Sequence, residues 1–156
     1  MGPDAEQHQQ HIKMLTRLPN WQSALSDYLV ESAHTRFAYG VLDCGLFAAG
    51  AIAAMTGVDA ARALRGQYHS RAEAFAAIRR LCGRPTVEAV AEHLAKSLGV
   101  PEIAAACAQR GDPVLLRSGR RSSLGIVAMH GTEILTPCRD GLLRLPLSHA
   151  TRAWHI

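Results

Sequence analysis

The chain is predicted to fold as an α+β domain, with helices first and a mostly antiparallel sheet after them. Two changes along the sequence carry that expectation. Up to Gly99-Val100-Pro101 the apolar residues recur at helical spacing, most runs with a capping residue in front and glycine behind. From Gly111 onward they come as short extended runs parted by turn residues, close enough in sequence to pair as hairpins. A length of 156 residues with no internal repeat or linker-like stretch fits one domain with a real core.

Residues 1–18 read as a flexible or partner-ordered arm, because a segment rich in Gln and His lacks a core of its own. His8 and His11 are three apart, but in such a tail they read as solvated rather than as metal ligands. The domain proper is expected over 19–156. Asn20 caps a first helix whose Trp21, Leu25, Tyr28 and Leu29 form one apolar face. Asp43 caps the second, and from Gly45 to Met55 no residue is polar. A helix apolar on every side is a buried one, and Gly57 ends it.

A short helix is expected over Asp59 to Arg65, stopped by Gly66. Ser70 and Glu73 make a capping box for a helix through Phe75, Ile78 and Leu81, ending at Gly83. Thr86 opens the next, with Val87, Val90, Leu94 and Leu98 on one stripe, and a brief helical stretch around Glu102 to Gln109 follows. Strands are then expected at Pro113–Arg117 and Ser123–Met129. A hairpin of Glu133–Thr136 with Leu142–Leu147 comes next, and Ala153–Ile156 is expected as a final edge strand.

Composition excludes several classes of function. The longest apolar run is about half of what a bilayer requires, and the polar N-terminus is not a signal peptide. The net charge of +4 is mild, and the basic residues are scattered except for Arg117, Arg120 and Arg121 around Gly119. With Trp 2, Tyr 3 and Phe 3, no aromatic–basic interleaving suits base stacking, so nucleic acid is not an expected partner. Cys44, Cys82, Cys107 and Cys138 have no C-x-x-C among them, and neither a zinc ribbon nor a redox pair is expected. No cofactor or metal is implied.

Cys44 follows the cap residue Asp43 at the start of the buried helix. Free N–H groups and the helix dipole favour a thiolate there, while Asp43 partly offsets that field. The competing reading is a small apolar residue where a helix enters the core.

Three separated pieces resemble one family. Tyr39-Gly40-x-x-Asp43-Cys44 before a buried helix resembles the nucleophile segment of the NlpC-type, papain-like cysteine peptidases. Gly111-Asp112-x-Val114 is similar to that family's G-D-x-V strand, and Leu124-Gly125-Ile126-Val127 to the core of its V-G-I strand. The D-C-x-L-F segment, Leu64-Arg65-Gly66-x-Tyr68 and Arg110-Gly111-Asp112 resemble a compact phage-associated branch found among tail-tip genes.

The resemblance implies a papain-like core in which Cys44 is the nucleophile and Tyr39 lines the site. A histidine is expected at the start of the V-G-I strand and a polar orienting residue on the next. Those positions fall on Ser123 (Leu124 if the register shifts by one) and near Thr136. Neither hydroxyl acts as a base at neutral pH. His130 lies seven residues beyond Ser123, ~23 Å at ~3.3 Å per residue, and on the opposite strand parity. His34, His149 and His155 remain open as distant substitutes. The implied function is a degenerate, structural and interaction component of a phage tail tip or baseplate, bound to other tail-tip or hub proteins. It would be made in the bacterial cytoplasm and then held in the virion. The alternative is an active cysteine amidase or peptidase acting on peptidoglycan stem peptides during infection.

Overall fold

The computed structural model describes residues 15–156. His8, His11 and most of the expected arm lie outside that range. Four helices pack on a six-stranded antiparallel sheet: α1 (Trp21–Ala33), α2 (Cys44–Thr56), α3 (Arg71–Cys82) and α4 (Val87–Leu98), then β1 (Glu102–Ile103), β2 (Pro113–Ser118), β3 (Arg121–Val127), β4 (Glu133–Cys138), β5 (Gly141–Pro146) and β6 (Ala150–Trp154). The sheet order is β1-β6-β2-β3-β4-β5. No helix among the described residues is long and apolar enough to cross a membrane.

Local chemistry starts three of the helices. The side chain of Asp43 accepts from Leu46 N, that of Ser70 from Glu73 N and that of Thr86 from Ala89 N. Glu73 reaches back to His69 N at 2.8 Å, completing the reciprocal cap one residue earlier than the simplest box. Asn20 stands at the N-cap of α1 but makes no side-chain cap hydrogen bond.

The central helix is α2. Leu46, Phe47, Ala48, Ala49, Gly50, Ala51, Ile52 and Met55 are all buried. Its small residues let neighbours approach closely: a Cβ on Gly50 would lie 2.3 Å from the Tyr28 hydroxyl of α1. That hydroxyl donates to Phe47 O at 2.9 Å. The main core lies between the helices and one face of the sheet, where Phe47, Ile52 and Met55 join Leu115, Leu124, Ile126, Leu135 and Trp154. A smaller cluster of Val114, Leu116, Val127, Ile134 and Ala153 covers the opposite face. This explains why β2 reads as a continuous apolar run rather than an alternating one.

Three expectations are corrected. Asp59–Arg65 is a series of turns, not a helix. The Asp59 carboxylate takes Ala61 N at 3.1 Å and Arg65 Nε at 2.8 Å, and Gly66 N bonds Gly40 O at 2.8 Å. So short a segment cannot offset the cost of helix nucleation, and these outside partners claim its polar groups. Glu102–Ile103 is a strand paired with Trp154 and Ala153, leaving one 3-10 turn at Ala105–Cys107. The last strand, β6, lies inside the sheet between β1 and β2, because β1 closes over its outer side. Leu81 is 45% exposed; Ala74 and Ala77 carry the burial of α3, and Phe75 and Ile78 face a cleft.

Residues 15–18, placed in the arm on sequence grounds, are docked. Leu15 packs on the core, and Leu18 N bonds Met55 O at 2.8 Å. Arg17 bonds Ile156 O at 2.8 Å and Asp112 at 3.0 Å.

Candidate active-site cleft

A cleft of about 940 Å³ opens where the N-terminus of α2 meets the ends of the β2–β3 and β4–β5 hairpins and the α3–α4 pair. Tyr39, Asp43, Cys44, Ser123 and Thr136 all line it, although they come from three separate parts of the chain. The backbone creates the space. The β3–β4 ladder contains the pairs Ile126↔Leu135 and Val127↔Ile134. Beyond Gly125 side chains replace backbone pairing: Thr136 Oγ1 donates to Leu124 O at 2.8 Å and lies 2.9 Å from Ser123 Oγ. Gly125 permits this approach, since a Cβ there would stand 2.7 Å from Leu135 O and 2.6 Å from Ile134.

Ser123, rather than Leu124, presents its side chain to the cysteine. Leu124 is buried in the main core, while Ser123 lines the cleft beside Cys44 and favours the charged form of its thiol. Burial pushes the thiol up from its ordinary value, and the Asp43 charge pushes the same way. Contacts from the Leu124 backbone, Ser123 and the Gly45 backbone oppose this without reversing it. Burial therefore works against the thiolate that the helix start alone would favour.

Asp43 is fully engaged. Its Oδ1 accepts from Leu46 N at 3.0 Å, and its Oδ2 accepts from Gly40 N at 3.2 Å and the Tyr68 hydroxyl at 2.6 Å. Gly40 has φ +82°, and a Cβ there would fall 1.9 Å from Tyr68 O. The Tyr39-Gly40-x-x-Asp43 and Gly66-x-Tyr68 segments are thus one buttress that fixes the start of α2. Tyr39 packs edge-on against Phe37, with ring centroids 5.0 Å apart. Tyr68 is the residue that sequence reasoning left without a role; 25 positions from Asp43, its only signal was its place in the Leu64-Arg65-Gly66-x-Tyr68 segment.

No histidine among the described residues lines the cleft. His34 is exposed at the end of α1, and His130 is exposed beside Thr132. His149 contacts Arg117 O at 3.3 Å. His155 is 3.1 Å from Asp112, whose carboxylate is 0% exposed and also accepts from Arg17 and from Gln109 N at 2.9 Å. That cluster lies at the opposite end of β2 and fastens residues near both ends of the described chain. Among the described residues no group of three or more His, Cys, Asp or Glu is arranged to hold a metal ion. The four cysteines are free, and Cys138 shares the cleft with Cys44.

Residues 16–156 match the family described as a domain of unknown function (DUF6950), and the chain belongs to that family. No curated protein and no solved structure matches it.

Proposed function

We propose that this domain is a non-catalytic relative of the NlpC-type, papain-like peptidases, working as a structural and interaction module of a phage or prophage tail tip. One observation carries the loss of catalysis: the cleft that Cys44 lines holds the hydroxyls of Ser123 and Thr136 but no imidazole among the described residues. Cysteine attack needs a thiolate, and the leaving amine needs a proton back from a base. A hydroxyl supplies neither, and burial holds the Cys44 proton more tightly still. The architectural half of the proposal is supported by element order, a buried Cys-bearing helix followed by the Gly111-Asp112-x-Val114 and Leu124-Gly125-Ile126-Val127 strands. The tail-tip setting, with hub proteins as partners, rests on the resemblance of the D-C-x-L-F, Leu64–Tyr68 and Arg110–Asp112 segments to the phage-associated branch.

The test is the pH dependence of Cys44 alkylation by iodoacetamide, read by mass spectrometry with exposed Cys107 as internal reference. Cys44 is expected to react slowly and to titrate above the free-thiol value of about 8.5. A midpoint well below that value would restore the active amidase or peptidase, with stem peptides as the substrates to try. In particles carrying Cys44→Ala, tail assembly and infectivity should be unchanged. Normal tails with lost infectivity would contradict the reading.

A further inference from the structure

The rim of the cleft is strongly basic. Arg71 at the start of α3, Arg117, Arg120 and Arg121 on the β2–β3 hairpin, and Arg139 in the β4–β5 turn all line it, and all five are exposed. Among the described residues none of them forms an ion pair within 4.0 Å, although six other arginine–carboxylate bridges are made elsewhere in the fold. The β2–β3 register pairs Arg117 with Ser122 and Ser118 with Arg121, so three guanidinium groups crowd one hairpin tip. Two carboxylates on the cleft offset its five guanidinium groups only in part. Asp43 is buried and filled by three donors, and Glu88 is held by Ser122, with Arg117 and Arg84 adding to its preference for the charged form.

We propose that this cleft binds an extended acidic segment of a partner protein, with its carboxylates on the arginine rim and apolar side chains on the floor. The inference rests on the non-catalytic reading of the same cleft and names the chemistry of its partner. Guanidinium groups pair with carboxylates in a bidentate fork, which suits a rim whose cations are all arginine. Aliphatic lining comes from Leu64, Ile78, Leu145 and Leu143, the last 43% exposed. An extended chain sends alternate side chains to opposite sides and so meets floor and rim together. A nucleic acid fits less well. Phe37 and Tyr39 pack edge-on to each other at 87°, Tyr68 is buried, and Phe75 lies under Arg71 with 5.4 Å from guanidinium to ring, so no open stacking platform remains.

The test uses the full chain and a short fluorescein-labelled peptide of alternating Glu and Leu, followed by anisotropy. Binding is expected to weaken about tenfold or more with R120E/R121E, at exposed turn and strand-end positions, and to fall with added salt. The Gln–Leu counterpart should bind at least as weakly as the variant. Equal binding of the Gln–Leu peptide, or no change with R120E/R121E, would overturn the proposal. Tighter binding of a single-stranded oligonucleotide than of the acidic peptide would overturn it in favour of nucleic acid. Mass spectrometry of the incubated peptide separates the two claims. Cleavage that Cys44→Ala abolishes would sink the non-catalytic reading while binding stood. An intact peptide that does not bind would sink the acidic partner alone.

Discussion

Two polar clusters lie at the two ends of β2, and they use their groups differently. At one end the Asp112 carboxylate is fully buried and consumed by the fold. Arg17, Gln109 N, His155 and Ile156 N surround it, and Arg17 reaches on to Ile156 O and Arg110 O. At the other end Cys44, Ser123 and Thr136 are neutral, face a cleft, and leave capacity unused. A buried charge persists only with a full set of partners, so the first cluster has nothing left for a ligand. Neutral hydroxyls and a thiol tolerate an open site, whose buried carboxylate, Asp43, is filled by the fold while the arginines stand exposed on the rim. Fold-fastening and ligand contact are thereby separated along one strand.

The largest effect should come from Asp112→Ala. It strands the half-buried Arg17 and unties residues near both ends of the described chain, at a cost of about 3–5 kcal/mol in urea unfolding at neutral pH. A loss below ~1 kcal/mol would remove the contrast with the cleft.

Gly40→Ala comes next. The left-handed backbone alone costs about 1–3 kcal/mol, and the clash with Tyr68 O adds to it. Thermal melting should show this, together with exposure of the loop before Cys44 to proteolysis.

Tyr68→Phe removes one donor from Asp43 and should cost about 0.5–1.5 kcal/mol. It also sharpens a pH prediction. Burial raises the phenol of Tyr28 to about 12, and burial with the Asp43 hydrogen bond raises that of Tyr68. Unfolded phenols ionise near ~10, so the folded state holds both protons more tightly. Their contribution is complete below about pH 10 and is lost as pH rises through the folded values. The alkaline fall in stability should be shallower in Tyr68→Phe than in the parent; equal slopes would remove Tyr68 as its cause.

The smallest effect is expected of Ser123→Ala. Thr136 keeps its bond to Leu124 O, so stability should change by less than ~1 kcal/mol. Cys44 loses a contact that favours its thiolate, and its alkylation midpoint should move further up. A downward move would mean that Ser123 suppresses the thiol rather than aids it.

Periodicity and capping chemistry in the sequence located all four helices, because a cap and the run behind it lie within one turn of each other. The α2 helix was legible as buried from composition alone, and the paired β2 to β5 from their short extended runs and the turns between them. Segments whose partners are remote were not legible in this way. Asp59–Arg65 has helix-like residues but is held by Gly40, β6 is interior because the two-residue β1 covers it, and residues 15–18 dock through Arg17 to Asp112. Within the cleft, the sequence alone determined that Cys44 starts a buried helix, and a family resemblance pointed to Ser123 and Thr136 as its neighbours. Only the tertiary structure decided that Ser123 and not Leu124 meets the thiol, that Tyr68 closes on Asp43, and that arginines from three elements ring one opening. The physical reason is range. Capping and amphipathic burial act over a few residues, whereas hydrogen bonds, charge crowding and desolvation depend on which distant groups the fold brings within a few ångströms.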